Sequence, residues 1–238
     1  MKNSSYLNIK HIRYDMCALL FLIVIMCIWI HNNKETSYDD VPAFKEENAK
    51  EECEVKKIAL TFDDGPHPVY TEQLLDGLSE RGIKGTFFLL GKLCECYPEI
   101  VERIAQEGHL IGNHTYSHIQ LTKNNLELFQ EELIKTNELL EALTGQQVTY
   151  VRPPFGVWNK KLEENLNMIP VFWNIDPLDW CTSNSDNVCY RVTSKAKENA
   201  IVLLHDSYKS TVEATLKIID ELISEGVEFV TVDELLFD

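Results

Sequence analysis

Little in this 238-residue chain is built for disorder or for nucleic acid. Glycine (10) and proline (8) are scarce, and 45% of the residues are hydrophobic. With no internal repeat or low-complexity tract, a fibrous or linker-like chain is excluded and one good-sized domain is accommodated. Basic residues are also short, 22 against 38 acidic ones, for a formal net charge of −16. Only Lys2, Lys10, Arg13 and Asp15 precede residue 31, so the deficit belongs to the rest of the chain. Such a surface is repelled by nucleic-acid phosphates and by anionic lipid, and a neutral polymer is the easier partner. No pair of Cys-x-x-Cys units is present, which argues against a cysteine zinc site.

The chain has one long apolar run, Met16 to Ile30, flanked by Lys2, Lys10, His11 and Arg13 on one side and bordered by Tyr14 and Trp29. Basic residues ahead of such a run hold the N-terminus in the cytoplasm, and aromatic residues suit the membrane interface. A helix this long rises roughly 22 Å, short of the roughly 30 Å hydrocarbon layer, so a signal-peptide core is the alternative. No small-x-small cleavage site follows Ile30, which favours an uncleaved signal anchor. The expected order is a cytoplasmic basic tail (1–15), a transmembrane signal anchor (16–30), an acidic tether (31–54) and an extracytoplasmic folded domain (55–238). A cleaved signal would instead release a secreted domain.

Cys17 and Cys27 lie in the apolar run, leaving Cys53, Cys94, Cys96, Cys181 and Cys189 outside. Export permits disulfides, and Cys181 with Cys189 is the preferred pair because the loop between them is short.

Seven short apolar runs alternate with helical patterns from Val55 onward. The runs are 57–62, 85–90, 109–113, 148–151, 171–175, 201–204 and 227–232. The helical stretches are 71–81, 96–107, 125–143, 160–167, 186–199 and 212–225. Leu126, Phe129, Leu133, Leu140 and Leu143 give one apolar face at helical spacing. The alternation predicts right-handed crossovers and an α/β fold, a distorted (β/α) barrel of about seven parallel strands.

Reactive residues sit at the downstream ends of five runs, which share one rim in a parallel barrel. Asp63 and Asp64 are adjacent and would diverge on an extended backbone, but a turn at Gly65-Pro66 can aim both into one cavity. An isolated turn with a helix cap is the bland alternative. His114 and His118, four apart, can bind one cation through neutral imidazoles when a carboxylate joins them. Arg152 precedes a stiff Pro153-Pro154-Phe155-Gly156 turn that suits exact placement of a guanidinium. Asp176 and His205, ending neighbouring strands, can form a carboxylate–imidazole pair that works as an acid near neutral pH. Asp179 competes with Asp176 for that task. Asp206 reads as a cap or a supporting partner, and His67 and His109 as structural. Trp158, Trp173, Trp180 and Tyr116 offer stacking surfaces for sugar rings, or core.

The ordered motifs TFDDGP (61–66), HTYSH (114–118), RPPFG (152–156), DPLDW (176–180) and LLH (203–205) resemble the NodB-homology polysaccharide deacetylases of carbohydrate esterase family 4. The resemblance spans about Lys57 to Asp238 and implies a distorted parallel barrel that removes acetyl groups from N-acetylated sugars with one divalent metal; the ligand types suit zinc, and cobalt, nickel or manganese could occupy them. By matching motif it implies Asp63 as general base, Asp64, His114 and His118 as metal ligands, and Arg152 as the partner of Asp63. His205 would be the acid, held by Asp176, with Trp180 and Leu203 lining the acetyl pocket. The family usually has Tyr where Phe155 stands. The role implied there is a backbone N–H to the oxyanion, which Phe155 preserves. The expected substrate is an N-acetylated glycan, peptidoglycan before chitin oligomers. The alternatives are an O-acetyl esterase on xylan, a non-catalytic glycan-binding scaffold, and an iron oxygenase using the same ligands. The sequence leaves the oligomeric state open.

Overall fold

The computed structural model describes residues 56–237. The expected basic tail, anchor and tether, with Cys17, Cys27 and Cys53, lie outside the described residues. Within them no helix is long and apolar enough to cross a membrane.

Seven parallel strands form one sheet: β1 (Lys57–Gly65), β2 (Thr86–Leu89), β3 (Leu110–Asn113), β4 (Tyr150–Val151), β5 (Ile169–Pro170), β6 (Ala200–His205) and β7 (Glu228–Val230). Their order is β5-β4-β3-β2-β1-β6, with β7 also paired to β1. β7 meets Lys57 to Ala59, upstream of the point where β2 begins to pair at Thr61. The helices are α1 (Tyr70–Glu80), α2 (Gly91–Cys96), α3 (Pro98–Gln106), α4 (Leu126–Thr144), α5 (Lys160–Leu166), α6 (Ser185–Thr193), α7 (Lys209–Ser224) and α8 (Val232–Phe237).

The sheet curls because its edges approach each other. After β5 the chain crosses to β6, where Ile175 bridges Val202 in parallel and Leu203 N–H donates to the Ile175 carbonyl at 2.9 Å. The expected strand 171–175 is therefore an irregular span that keeps only this bridge, and the two-residue β5 lies just ahead of it. Its apolar residues are still buried, Val171 in the interior and Ile175 in the main core, so burial alone made the run resemble a strand. Strand β1, paired with β2, β6 and β7, is buried on both faces, as expected of a parallel strand covered on both sides. Ile58, Leu60 and Phe62 pack outward with Leu74, Leu78, Ile104 and Ile218, while Ala59 points inward with Phe88, Val171 and Val232. By the same alternation Thr61 and Asp63 share the inward face.

Three helix boundaries differ from expectation. The pattern at 96–107 divides at Tyr97, where Pro98 starts α3, and α2 lies before it. Helix α6 stops at Thr193, short of 199, and Asn199 adopts φ +59° on entry to β6. The last run ends in helix: Thr231 N–H donates to Glu234 Oε2 at 2.8 Å where α8 starts, the glutamate half of a capping arrangement.

The expected disulfide is not formed. Cys181 and Cys189 are both free thiols; Cys181 is exposed and donates to the Leu178 carbonyl, whereas Cys189 is buried in the core of α6. Burial, with Glu221 close by, pushes the Cys189 thiol up to about 11.

Candidate active site

The downstream strand ends open into a cavity of about 430 Å³ lined by Asp63, Asp64, His114, His118, Phe155 and His205, among others. Asp63 reaches it because it lies on the inward face of β1. Asp64 would point away on a regular strand, but it adopts φ +70° and the β1–β2 register shifts between Asp63 and Gly65. That bulge turns both carboxylates inward. Gly65 is required there: a Cβ would lie 2.6 Å from Asp206 Oδ2.

Asp63 Oδ1 accepts from Arg152 Nη1 at 2.8 Å, and Nη1 also donates to Thr61 Oγ1 at 2.6 Å. Arg152 Nε donates to the Val171 carbonyl at 3.2 Å, and its guanidinium lies 4.3 Å from the Phe88 ring centroid. The guanidinium is fully buried. Burial pulls it below its ordinary pKa, and the Asp63 charge pulls it back. A buried charge of this kind persists only with its partner.

On the other side of Asp63, the Asp64, His114 and His118 ligand atoms all lie within 4.8 Å of one another. His114 Nε2 is 3.5 Å and His118 Nε2 3.4 Å from Asp64 Oδ1, which is buried with no hydrogen-bond partner. His114 Nδ1 donates to the Arg152 carbonyl at 2.6 Å, leaving the Nε2 lone pair turned toward the carboxylates. Burial lowers the His118 pKa, with Asp64 opposing, so the neutral ligand form is favoured there. An orphaned carboxylate oxygen facing two imidazole nitrogens is a donor set that fits a divalent cation.

The loop carrying both histidines is clamped by α4. Glu132 Oε2 accepts from Tyr116 N at 3.1 Å and Ser117 N at 2.8 Å, while Oε1 accepts from Ser117 Oγ. Thr115 Oγ1 accepts from His118 N at 3.0 Å, and Asn113 Oδ1 from Thr115 N at 2.7 Å. These bonds hold Thr115 and His118 at positive φ. The role of Glu132 was not legible beforehand, since it sits in an ordinary amphipathic helix.

Across the cavity stands His205, and here the expected pairing is corrected. Asp179, not Asp176, holds it: Asp179 Oδ1 is 2.9 Å from His205 Nδ1, and Oδ2 accepts from His205 N and Thr211 Oγ1, each at 2.8 Å. The chain turns at Leu178, in a left-handed conformation, and a 3₁₀ turn carries Asp179 under β6. Asp176 remains at the cavity wall with Oδ1 bound to Leu178 N–H at 2.8 Å. Burial lowers the His205 pKa, but the hydrogen bond and charge of Asp179, aided by Asp63 and Asp64, outweigh it and raise the imidazole to about 9.

Trp180, Leu203 and Phe155 line the cavity as expected, joined by Trp173, Pro153 and Tyr208. Phe155 adopts φ +61° in the short turn after Pro153, and its ring meets His118 edge-on with centroids 5.0 Å apart. Trp158 packs on Phe129 in a separate core cluster, and Tyr116 lies under Lys135, so neither lines the cavity. His67 Nδ1 accepts from Val69 and Tyr70 at the start of α1, and buried His109 accepts from Gly85. Both are structural. Asp206 is buried beneath Gly65 and bound to Thr71 Oγ1; burial raises its pKa to about 7.

Residues 50–171 match the family model described as polysaccharide deacetylase. The chain belongs to the polysaccharide deacetylase family. Among its deacetylase relatives, a Bacillus subtilis protein, peptidoglycan-N-acetylmuramic acid deacetylase PdaC, is 38% identical over 180 residues, covering 76% of this chain and 38% of the relative. The chain thus spans well under half the length of that protein. A Bacillus cereus peptidoglycan-N-acetylglucosamine deacetylase is 39% identical over 189 residues, covering 75% of this chain and 68% of the relative. The solved structure of PdaC superposes with a TM-score of 0.74 at 37% identity, covering 76% of this chain and 90% of that one. The curled parallel sheet is therefore the deacetylase architecture.

Proposed function

We propose that this polysaccharide deacetylase family member is a metal-dependent hydrolase that removes N-acetyl groups from N-acetylated amino-sugar polymers, peptidoglycan first. The observation that carries the reading is the position of Asp63. It is tied to Arg152 at 2.8 Å and stands beside the Asp64, His114 and His118 triad, 3.7 Å from His114 Nε2, with His205 lining the same cavity. An amide hydrolase needs a base beside its water and a separate acid for the departing amine.

Asp64, His114 and His118 would hold the cation, which when bound supplies Lewis acidity to the acetamide carbonyl and lowers the pKa of a water. Asp63, positioned by its hydrogen bond from Arg152, takes a proton from the attacking water. The Phe155 N–H donates to the oxygen that gains charge as the carbonyl carbon becomes tetrahedral, a contribution of about 3 kcal/mol for one such donor. His205, protonated and steered by Asp179, gives its proton to the sugar nitrogen as the C–N bond breaks. Acetate and a free amino sugar result. Leu203 and Trp180 supply an apolar wall for the acetyl methyl group.

Two imidazoles and a carboxylate suit zinc, with cobalt, nickel and manganese as other occupants. The names of the relatives support peptidoglycan as the substrate. The apolar run at 16–30 would hold the domain on the outer side of a membrane, near such a polymer. The test is acetate release by the metal-analysed protein from defined muropeptides, chitooligosaccharides and acetylated xylan. Release from muropeptides supports the reading; release from xylan alone replaces it with an O-acetyl esterase.

A further inference from the structure

Asp206 takes no part in the chemistry described above, yet it stands one residue after His205, beyond the end of β6. It is fully buried and does not line the catalytic cavity. Its Oδ2 accepts from Thr71 Oγ1, and Thr71 Oγ1 in turn accepts from His67 N–H at 2.7 Å. Thr71 is equally buried, at the start of α1. Asp206 Oδ1, by contrast, has no hydrogen-bond partner among the described residues. A buried carboxyl oxygen left in that state is uncommon enough to need an explanation.

The explanation lies in Gly65. A Cβ there would sit 2.6 Å from Asp206 Oδ2 and 2.7 Å from Oδ1, so the two oxygens straddle the Cα–H that a side chain would replace. Gly65 is not among the glycines with positive φ, so its φ is one that other residues adopt. The three atoms nearest that Cβ all belong to Asp206, and the carboxyl group is what excludes a side chain. Gly65 directly follows Asp64, whose inward turn depends on φ +70° and on the register shift between Asp63 and Gly65. On its other side the Gly65 carbonyl accepts from Leu90 N–H at 2.9 Å, just past β2. Asp206 therefore grips the 65–71 segment at both ends, by packing at Gly65 and by a hydrogen bond at Thr71.

We propose that Asp206 is a positioning residue for the metal site: it sets how closely Gly65 approaches the end of β6, and through Gly65 the aim of the Asp64 carboxylate at His114 and His118. The inference rests on the reading of that triad as the cation site. The role is one of shape and contact, with no proton moved. Removing the side chain opens a void against Gly65 into which the bulge can settle. Asp64 Oδ1 then leaves its place 3.5 Å from His114 Nε2 and 3.4 Å from His118 Nε2. A methyl group added at Gly65 pushes the same bulge the other way.

The test is a competition titration of the full chain with zinc, at a temperature where circular dichroism shows every variant folded. Asp206→Ala is expected to bind zinc about 10–100-fold more weakly than wild type. Asp206→Asn, which keeps the shape and an acceptor for Thr71, recovers most of that loss. Gly65→Ala also weakens binding, and in Gly65→Ala/Asp206→Ala the two losses do not add, because the methyl group no longer meets the carboxyl group. A folded Asp206→Ala with wild-type zinc affinity and only a lower melting temperature is the result of a purely structural residue and overturns the proposal, as do additive losses in the double variant. If Asp206→Ala does not fold, Gly65→Ala decides by itself: weaker zinc binding supports the proposal and unchanged binding overturns it. Failure of wild type to bind zinc defeats the reading of the triad and the proposal together, whereas zinc binding that survives in Asp206→Ala defeats the positioning role alone.

Discussion

Asp179→Asn tests the acid most directly, because Asp179 supplies the largest upward pull on the His205 imidazole. The rise from the ordinary value of 6.5 to about 9 corresponds to roughly 3 kcal/mol in favour of the imidazolium. Removing the carboxylate charge leaves burial, which lowers the pKa, opposed only by the more distant Asp63 and Asp64. The imidazole then titrates near or below its ordinary value. A cation at Asp64 offsets the pull of the aspartates there and lowers the absolute values in both proteins, so the difference between them is the informative quantity. The assay is kcat for acetate release from pH 5 to 10 with a carbon-resolved NMR titration of His205. The basic limb is expected to move about two pH units toward acid in Asp179→Asn and to stay in place in Asp176→Asn. An unmoved limb in Asp179→Asn, or one displaced in Asp176→Asn, refutes the pairing. The same shift has a stability consequence. A histidine whose pKa rises on folding contributes stability that is complete below its unfolded value, about 6.5, and is lost as pH rises through about 9. Denaturant melts should show wild type losing its advantage over Asp179→Asn across that window.

Three further outcomes follow from the geometry. Asp63→Asn removes the base while sparing the triad, so turnover falls by about 10²–10⁴-fold while metal content by elemental analysis is unchanged; His114→Ala loses both. Arg152→Met leaves Asp63 buried without its cation and costs about 3–5 kcal/mol in a denaturant melt, and the double variant Arg152→Met/Asp63→Asn recovers part of that loss. Glu132→Ala frees the Tyr116 and Ser117 amides from their acceptor, so metal affinity falls about 10–100-fold in a competition titration, and Glu132→Gln falls between that variant and wild type.

Much of the site was readable from linear patterns because each motif carries its own local geometry. The ligand types and their spacing marked His114 and His118, although the loop that joins them is not helical and turns at Thr115 and His118 with positive φ, and the two-residue alternation puts Asp63 on the face of Thr61. The helical cores of α1, α4 and α7 were legible for the same reason. What failed was everything decided by partners distant in sequence. Val171 to Ile175 is apolar enough for a strand, but it is drawn across the barrel mouth to β6 and keeps only a bridge. Asp176 sits directly after that run, where a strand-end acid was expected, whereas Asp179 is swung beneath β6 by the left-handed Leu178. The spacing of Cys181 and Cys189 permitted a short loop, yet one faces solvent and the other the core.

By itself the sequence determined the alternation of strand and helix, the acidic surface, and which side chains are proposed as ligands, base and acid, since hydropathy period and side-chain type are local properties. Tertiary structure alone decided which carboxylate orients His205, how Arg152 could be buried with Asp63, and how Glu132 braces the histidine loop. Those depend on distances across 26, 89 and 15 residues of chain, which only the closing of the sheet makes short.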